Sequence, residues 1–363
     1  MQRLSILTSL FLFFLLSCSP EEKTQSGTLQ ANGLRNFLTE VSGKAILFGH
    51  QDDMAYGIGW NSIPGESDVK RTTGSYPAVF GWEIGNIGDK NNLDGVPFDS
   101  IKTYIKRAYR LGAVNTVSWH ARYSVTRLNA WNLNGIDVSS LLPGGKFHHL
   151  FLKELDLVAA FLETLKDDSG KPIPVIFRPW HEMYGNWFWW GSVTCSDDQY
   201  RQLFRFTVEY LRNTKGLNNL LIAFASDNNF NSREDYLKRY PGDDVVDILG
   251  LDDYGDFYQN RLDLVVIRLG IITDLAKDKG KISAFTETGS NRLEKHNWYT
   301  SNLLQVLNAS EKTRRVSYVL VWRNQDSTQF YVPPAKHEQA EDFRTFVNDK
   351  LIFLLDEVKT LNQ

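Results

Sequence analysis

The segment Pro174–Glu182 reads PVIFRPWHE, a short apolar run that ends in charged and aromatic residues. Seven other segments share this pattern of a β-rich apolar run with a polar or aromatic end. They are Ala45–Gln51, Tyr76–Glu83, Ala113–His120, Asn219–Asp227, Val245–Tyr254, Lys281–Glu287 and Val316–Asn324. Near-continuous apolar runs of this length are typical of parallel strands that are buried on both faces.

The stretches between these runs have the periodicity of helices. Ile101, Ile105 and Ala108 recur at helical spacing, and Ser196 with Gln199 matches a capping box. Eight strand–helix units in about 320 residues predict an α/β protein with a single (β/α)8, or TIM, barrel. An open doubly wound sheet is the alternative, but it usually brings a glycine-rich phosphate loop, and the sequence contains neither GxGxxG nor a Walker A motif.

In a (β/α)8 barrel the active site forms at the carboxyl ends of the strands. The residues predicted at those ends are His50, Trp82, His120, Glu182, Asp227, Tyr254, Glu287 and Trp322.

The composition is that of an ordinary globular protein. The 363 residues include 40 Lys and Arg against 43 Asp and Glu, which gives a net charge of −3 and argues against a nucleic-acid partner. The chain also holds 10 Trp, 15 Tyr and 22 Phe. Many of these rings belong in a core, but aromatic faces also form natural platforms for sugar rings.

The first residues predict export and lipid anchoring. Arg3 precedes the apolar run Leu4–Leu16, and the sequence Leu-Leu-Ser-Cys18 resembles a bacterial lipobox. We therefore expect a signal peptide over 1–17, then the lipidated Cys18 with a polar flexible tether over 18–33, and one catalytic domain over 34–363. The expected location is the Gram-negative cell envelope, as an outer-membrane lipoprotein on either the periplasmic or the surface face.

Two of the strand-end residues are carboxylates suited to paired acid–base chemistry. Glu182 and Glu287 end the fourth and the seventh predicted strand, so a closed barrel brings them face to face across its mouth. Glycoside hydrolysis needs such a pair, with one carboxyl kept protonated as an acid and the other ionised. Arg178, four residues before Glu182, could hold a facing carboxylate in its ionised form.

Several motifs together resemble glycoside hydrolase family 26, the β-mannanase family. The most specific is Arg178-Pro-Trp-His-Glu182, followed by NWFWWG from Asn186 to Gly191, and FGHQDD (Phe48–Asp53), FTETG (Phe285–Gly289) and LVWRN (Leu320–Asn324) also match. The resemblance implies a retaining hydrolase of β-1,4-mannosidic bonds in mannan, galactomannan and manno-oligosaccharides. It implies Glu182 as the acid/base and Glu287 as the nucleophile. It also implies sugar-site roles for His120, His181, Trp187, Tyr254 and Trp322, with Arg178 in support and Trp131 as a weaker further platform.

Alternative activities remain open at this point. Another β-glycan, such as a β-1,3-xylan or a mixed-linkage glucan, would fit the same family, and a decayed barrel could be a glycan-binding lipoprotein without catalysis. The enzyme could cut within the polymer or release mannobiose. We expect no metal and no cofactor, because His50 with Asp52 and Asp53 lacks a second imidazole at ligand spacing. We expect the protein to be a monomer that binds the glycan and contacts the membrane only through its lipid anchor.

Overall fold

Eight parallel strands close into a barrel in the computed structural model, which describes residues 20–361. The strands are β1 (Ile46–Gln51), β2 (Val79–Glu83), β3 (Val114–Trp119), β4 (Val175–Pro179), β5 (Leu220–Ser226), β6 (Ile248–Asp253), β7 (Ile282–Thr288) and β8 (Tyr318–Val321). Each pairs with the next, and β8 pairs with β1, so the sheet has no free edge. The predicted (β/α)8 barrel is confirmed, with every predicted strand found within or close to its apolar run.

Helices and short strands fill the connections. The helices are α1 (Pro20–Val41), α2 (Asp68–Thr73), α3 (Phe98–Arg110), α4 (His148–Glu163), α5 (Asp197–Glu209), α6 (Arg233–Leu237), α7 (Gly255–Tyr258), α8 (Leu262–Lys279), α9 (Gln305–Leu307), α10 (Ala340–Val347) and α11 (Leu355–Leu361). A hairpin of two short strands, Tyr56–Gly57 and Trp60–Asn61, lies between β1 and β2. A further short strand, Ile352–Phe353, pairs with β1. The capping box predicted at Ser196 is present at the start of α5.

The amino-terminal part of the described chain differs from the tether predicted over 18–33. Residues from Pro20 onward belong to α1, and Ala31, Leu34 and Leu38 are buried against the amino-terminal ends of the barrel strands. The polar composition of 19–33 hid this apolar face, whose described residues Ala31, Leu34 and Leu38 recur at helical spacing. The described part of the domain therefore starts before residue 34. The signal peptide and Cys18 lie outside the described residues.

Strand alternation decides which residues reach the barrel mouth. In β2, Trp82 is buried against Phe80 and Tyr104 of α3, so it packs between barrel and helix. The next residue, Glu83, points the opposite way, as successive strand residues do, and hydrogen-bonds to His120. The prediction that Trp82 faces the active site is thus wrong by one residue.

Of the helices in the described range 20–361, none has the length and apolar character needed to cross a bilayer.

Candidate active site

A buried arginine joins two carboxylates at the mouth of the barrel. Arg178, on β4, donates from Nη1 to Asp252 Oδ2 at 2.6 Å and from Nη2 to Glu287 Oε2. Asp252 lies on β6 opposite Glu287 on β7, next to a register shift between these strands. Only 2% of Arg178 and 6% of Glu287 is exposed. A planar guanidinium can serve two carboxylates at once, which an ammonium group cannot do with the same geometry.

Tyr254 completes the surroundings of Glu287. It follows β6, and its hydroxyl donates to Glu287 Oε1 at 2.9 Å. Each oxygen of Glu287 therefore has one donor, so its position and its ionised form are both supported. Burial and the negative charge of Glu287 raise the pKa of Tyr254 well above its usual value. The tyrosine consequently remains a hydrogen-bond donor across the whole working pH range.

Glu182 has an environment that favours the protonated acid. It lies three residues beyond β4 and receives a hydrogen bond from Trp187 Nε1 at 2.6 Å. Burial, followed by the negative charges of Glu287 and Asp252, raises the pKa of Glu182 well above its usual value. Burial also raises the pKa of Asp252 to about 7, with Arg178 opposing the rise. One guanidinium cannot keep three neighbouring carboxyls ionised. Glu182 is the carboxyl that does not bind the guanidinium of Arg178.

The loop that carries Glu182 is strained and firmly held. Trp180 and Glu182 have φ values of +54° and +55°, a conformation that costs about 1–3 kcal/mol for a residue with a side chain. Asp227, after β5, accepts hydrogen bonds from the backbone nitrogens of Tyr184 and Gly185 at 2.8 and 2.7 Å. The backbone nitrogen of Glu182 donates to Ala225 at 2.9 Å. These contacts with the neighbouring strand hold the acid in place.

Two histidines face each other beside this carboxyl pair. His120 Nε2 lies 3.2 Å from His181 Nε2, and His120 Nδ1 lies 2.7 Å from Glu83 Oε2. Burial and the positive charge of Arg178 lower the pKa of His181 well below its usual value. Burial also disfavours a charge on His120, but the Glu83 carboxylate outweighs it, so the pKa of His120 is raised.

The tryptophans of the WFWWG segment divide between site and core. Trp187 is half-buried and contacts Glu182, as described above. Trp189 and Trp190 are fully buried, and their indole nitrogens donate to the carbonyls of Ala121 and His181 at 2.8 and 2.7 Å. Successive rings cannot all point inward, and here only Trp187 lies at the mouth.

Further aromatic rings surround the histidines. Trp131 is 47% exposed and stacks on His120, with ring centroids 5.1 Å apart, so it offers a flat face to a sugar. Trp322, just after β8, lies edge-on to His120 at 6.1 Å. The structure thus brings every predicted site residue of the barrel to one end of it, although their individual roles stay predictions.

Sequence reasoning assigned no role to three carboxylates that organise this site, although it placed one of them, Asp227, at a strand end. Glu83 orders His120, Asp252 shares Arg178, and Asp227 fixes the loop of Glu182. Each lies at or just beyond a strand end, so the same positional rule could have found them. His50, considered as a metal ligand, instead pairs with Asp53 at 2.6 Å. The predictions that no metal and no cofactor are needed stay predictions.

These features define a class of protein: a (β/α)8 barrel with two carboxyls at its mouth, one with a raised pKa and the other held by an arginine and a tyrosine, the arrangement of glycoside hydrolases. Within that class, the chain belongs to glycosyl hydrolase family 26, whose family model matches residues 24–302.

Known relatives agree with this assignment. The chain is 35% identical over 333 residues to a mannan endo-1,4-β-mannosidase of Bifidobacterium adolescentis, which covers 85% of this chain and 33% of that protein. It is 27% identical to an enzyme of the same name from Thermothelomyces thermophilus, with 92% of this chain and 62% of that protein covered. The chain therefore spans less than two thirds of the length of these two relatives.

Solved structures match over more of their length. A family 26 β-mannanase of Bacteroides ovatus has 40% identity and a TM-score of 0.86, with 91% of this chain and 95% of that chain covered. A modular endo-β-1,4-mannanase of Cellulomonas fimi has 36% identity and a TM-score of 0.82, with 92% and 76% covered.

The hydrogen bond between Trp187 and Glu182 should affect how the activity depends on pH. A donor to the ionised carboxylate lowers its pKa, so Trp187→Phe should raise the pKa of Glu182. Because the acid must be protonated to act, the alkaline limb of the kcat/KM profile should move to higher pH, by about one unit. The measurement is kcat/KM on β-mannan from acid to alkaline pH.

Trp189→Phe is the matched control. It also removes an indole donor, but that donor serves Ala121 and not Glu182. An unshifted alkaline limb in Trp187→Phe, or an equal shift in both variants, would contradict the assignment of Glu182 as the titrating acid.

Proposed function

We propose that this protein is a retaining β-mannanase that hydrolyses β-1,4-mannosidic bonds, with Glu287 as nucleophile and Glu182 as acid/base. The observation that carries the proposal is the opposite environment of the two carboxyls. Glu287 is held by Arg178 and Tyr254, whereas half-buried Glu182 lies beside negative charge and, among the described residues, receives a side-chain hydrogen bond from Trp187 alone.

The reaction follows from these environments in two steps. Ionised Glu287 attacks the anomeric carbon while Glu182 gives its proton to the departing glycosidic oxygen. A glycosyl-enzyme ester forms at Glu287, and the charge that held the Glu182 proton is then lost. Glu182, now ionised, takes a proton from water as the water attacks the anomeric carbon, and Glu287 leaves as a carboxylate. Two inversions at that carbon retain its configuration.

The proposed substrate class is β-mannan, galactomannan and manno-oligosaccharides. Two relatives that match most of this chain are both named mannan endo-1,4-β-mannosidase. The two β-mannanase structures also match most of this chain, and together these similarities support the proposal. A role in glycan binding alone would not need two carboxyls in such different surroundings. No feature of the described site favours a β-1,3-xylan or a mixed-linkage glucan over mannan.

The mode of cleavage is proposed from a cavity at one side of the mouth. It has a volume of about 320 Å³ and is bounded by Tyr56, Trp60 and Asn61 of the β1–β2 connection, facing Asp94 and Arg323. Arg323 follows Trp322 and pairs with Asp94 at 3.1 Å. We propose that this connection partly closes one end of the cleft, which would favour short products.

Catalytic roles are tested by comparing Glu182→Ala with Glu287→Ala on an aryl β-mannobioside that has a good leaving group. Such a substrate needs little protonation, so Glu182→Ala should still form the glycosyl-enzyme at a substantial rate, whereas Glu287→Ala should lose turnover. On β-mannan, both variants should be nearly inactive. Glu66→Ala, which removes an exposed surface partner of Arg71, is the control and should behave as the parent protein.

Equal losses for both variants on the activated substrate would contradict the assigned roles. Detection of α-mannose configuration in the first product would contradict the retaining mechanism.

The mode of cleavage is tested by the early products of linear mannan. A partly blocked cleft should give mainly mannobiose with a slow fall in viscosity. Early mannotetraose and longer products with a rapid loss of viscosity would show an open cleft that cuts internally. This outcome would leave the catalytic assignment intact, because it concerns only the wall of the cleft.

Location is proposed from the sequence alone: an outer-membrane lipoprotein anchored through Cys18. The support is the lipobox at Leu15–Cys18, a segment outside the described residues. Cys18→Ala should release the protein from the membrane fraction with unchanged kcat on β-mannan. Cys195→Ala, a buried cysteine within the barrel domain, is the control and should stay with the membrane. Membrane retention of Cys18→Ala would refute the anchor.

A further inference from the structure

The carboxylate of Glu83 is not accounted for by the reaction above. It is fully buried at the end of β2 and accepts four hydrogen bonds. The donors are Ser118 Oγ at 2.6 Å, His120 N at 2.9 Å, Gly85 N at 2.5 Å and His120 Nδ1 at 2.7 Å. A buried carboxylate with this many donors is held in its ionised form, and the pKa of Glu83 is lowered although burial opposes it.

This contact determines where His120 carries a proton. Nδ1 faces an ionised carboxylate, so it must be an N–H group. On the other side, the Nε2 atoms of His120 and His181 lie 3.2 Å apart. Two bare nitrogens would repel, and two N–H groups would clash, so this contact holds one proton.

Three arrangements satisfy these requirements. Both rings can be neutral with His181 donating, His181 can be a cation that donates to neutral His120, or His120 can be a cation that donates to His181, whose own proton is then on Nδ1. Burial and Arg178 disfavour a cation on His181, whereas Glu83 favours one on His120. Any positive charge on the pair therefore belongs to His120.

We propose that Glu83 is a positioning residue of the catalytic site: it keeps His120 doubly protonated, which fixes the proton of His181 on Nδ1 and sets a positive charge beside Glu287. Thus Glu83 acts on the reaction through His120, without touching the sugar. The proton arrangement is independent of the proposed function, whereas its effect on rate rests on Glu287 being the nucleophile.

The charge on His120 results from groups on several elements. Negative groups are Glu83 of β2, Asp94 of the following loop and Glu287 of β7, and the positive group is Arg178 of β4. His181 contacts Nε2, and the remaining neighbours are the rings of Trp131, Phe188 and Trp322. Within residues 20–361, Glu83 is the one carboxylate in direct contact with the imidazole. Removal of its charge should therefore leave His120 neutral over most of the working pH range.

The first test is the protonation state itself, read by NMR of protein with ¹⁵N-labelled histidine. At about pH 6.5, close to the pKa of free histidine, His120 should show two protonated nitrogens in the parent protein. In Glu83→Gln it should show a neutral ring at the same pH. Comparison with His120→Asn assigns the signal among the seven histidines.

A neutral His120 in the parent protein at this pH would overturn the proposal, and this measurement does not depend on whether Glu83→Gln folds or on any activity. Ser118→Ala is the matched control: it removes one donor to Glu83 and leaves the carboxylate, so His120 should remain a cation.

The second test is the pH profile on β-mannan. Without the positive charge beside it, the nucleophile should be harder to ionise, so the acid limb of kcat/KM in Glu83→Gln should move up by about one pH unit. In the His120→Asn background, Glu83→Gln should give no additional shift, because the charge that Glu83 supports is already absent. Glu154→Gln, which removes another buried carboxylate, should leave the limb unchanged.

An unshifted acid limb in Glu83→Gln, or the same shift with and without His120, would show that Glu83 is merely structural. If instead no variant or parent protein hydrolyses mannan while the NMR result holds, the proposed substrate fails and the proton arrangement stands.

Discussion

A single buried guanidinium holds together the mouth of this barrel. Arg178 reaches from β4 to carboxylates on β6 and β7, and it is the positive charge that Glu287 and Asp252 share. Removing one partner of such a buried pair typically costs about 3–5 kcal/mol, because an uncompensated charge remains inside the protein. The same guanidinium distinguishes the two carboxyls proposed to be catalytic. Glu287 binds it and Glu182 does not, and the pKa of Glu182 is raised well above its usual value.

Around this ion pair, the fold supplies rigid neighbours. Glu182 lies in a loop with a left-handed backbone conformation, yet hydrogen bonds from that loop to Asp227 and Ala225 connect it to β5. On the opposite side, Glu83 orders His120, which in turn contacts His181. Backbone strain and buried charge both oppose folding. They are tolerated here because contacts from several strands fix the position of each of these residues. The site therefore depends on closure of the barrel as much as on its own residues.

The sequence predicted the barrel well because parallel strands buried on both faces leave a strong signal of short apolar runs. It also placed Glu182, Glu287 and Arg178 at the mouth of the barrel, since these follow or end such runs. It could not tell which side chain at the end of β2 points to the mouth of the barrel. Trp82 and Glu83 are adjacent and both fit a strand end, and the structure shows that Glu83 is the one that points there. It also missed the contribution of α1, because the segment 19–33 is mostly polar and its sequence has little apolar periodicity. The sequence did not predict the role of Asp227 for a different reason. Asp227 accepts hydrogen bonds from backbone nitrogens, and a pattern of side chains does not reveal such contacts.

The proposed role of Glu287, held by Arg178, is to form the covalent bond to the sugar. The direct measurement is trapping with a 2-deoxy-2-fluoro-β-mannosyl fluoride, whose fluorine at C2 slows hydrolysis of the ester, followed by peptide mapping by mass spectrometry. We expect one adduct per protein, on the peptide that carries Glu287. Label on another residue, or complete turnover with inversion and no adduct, would rule out this role of Glu287.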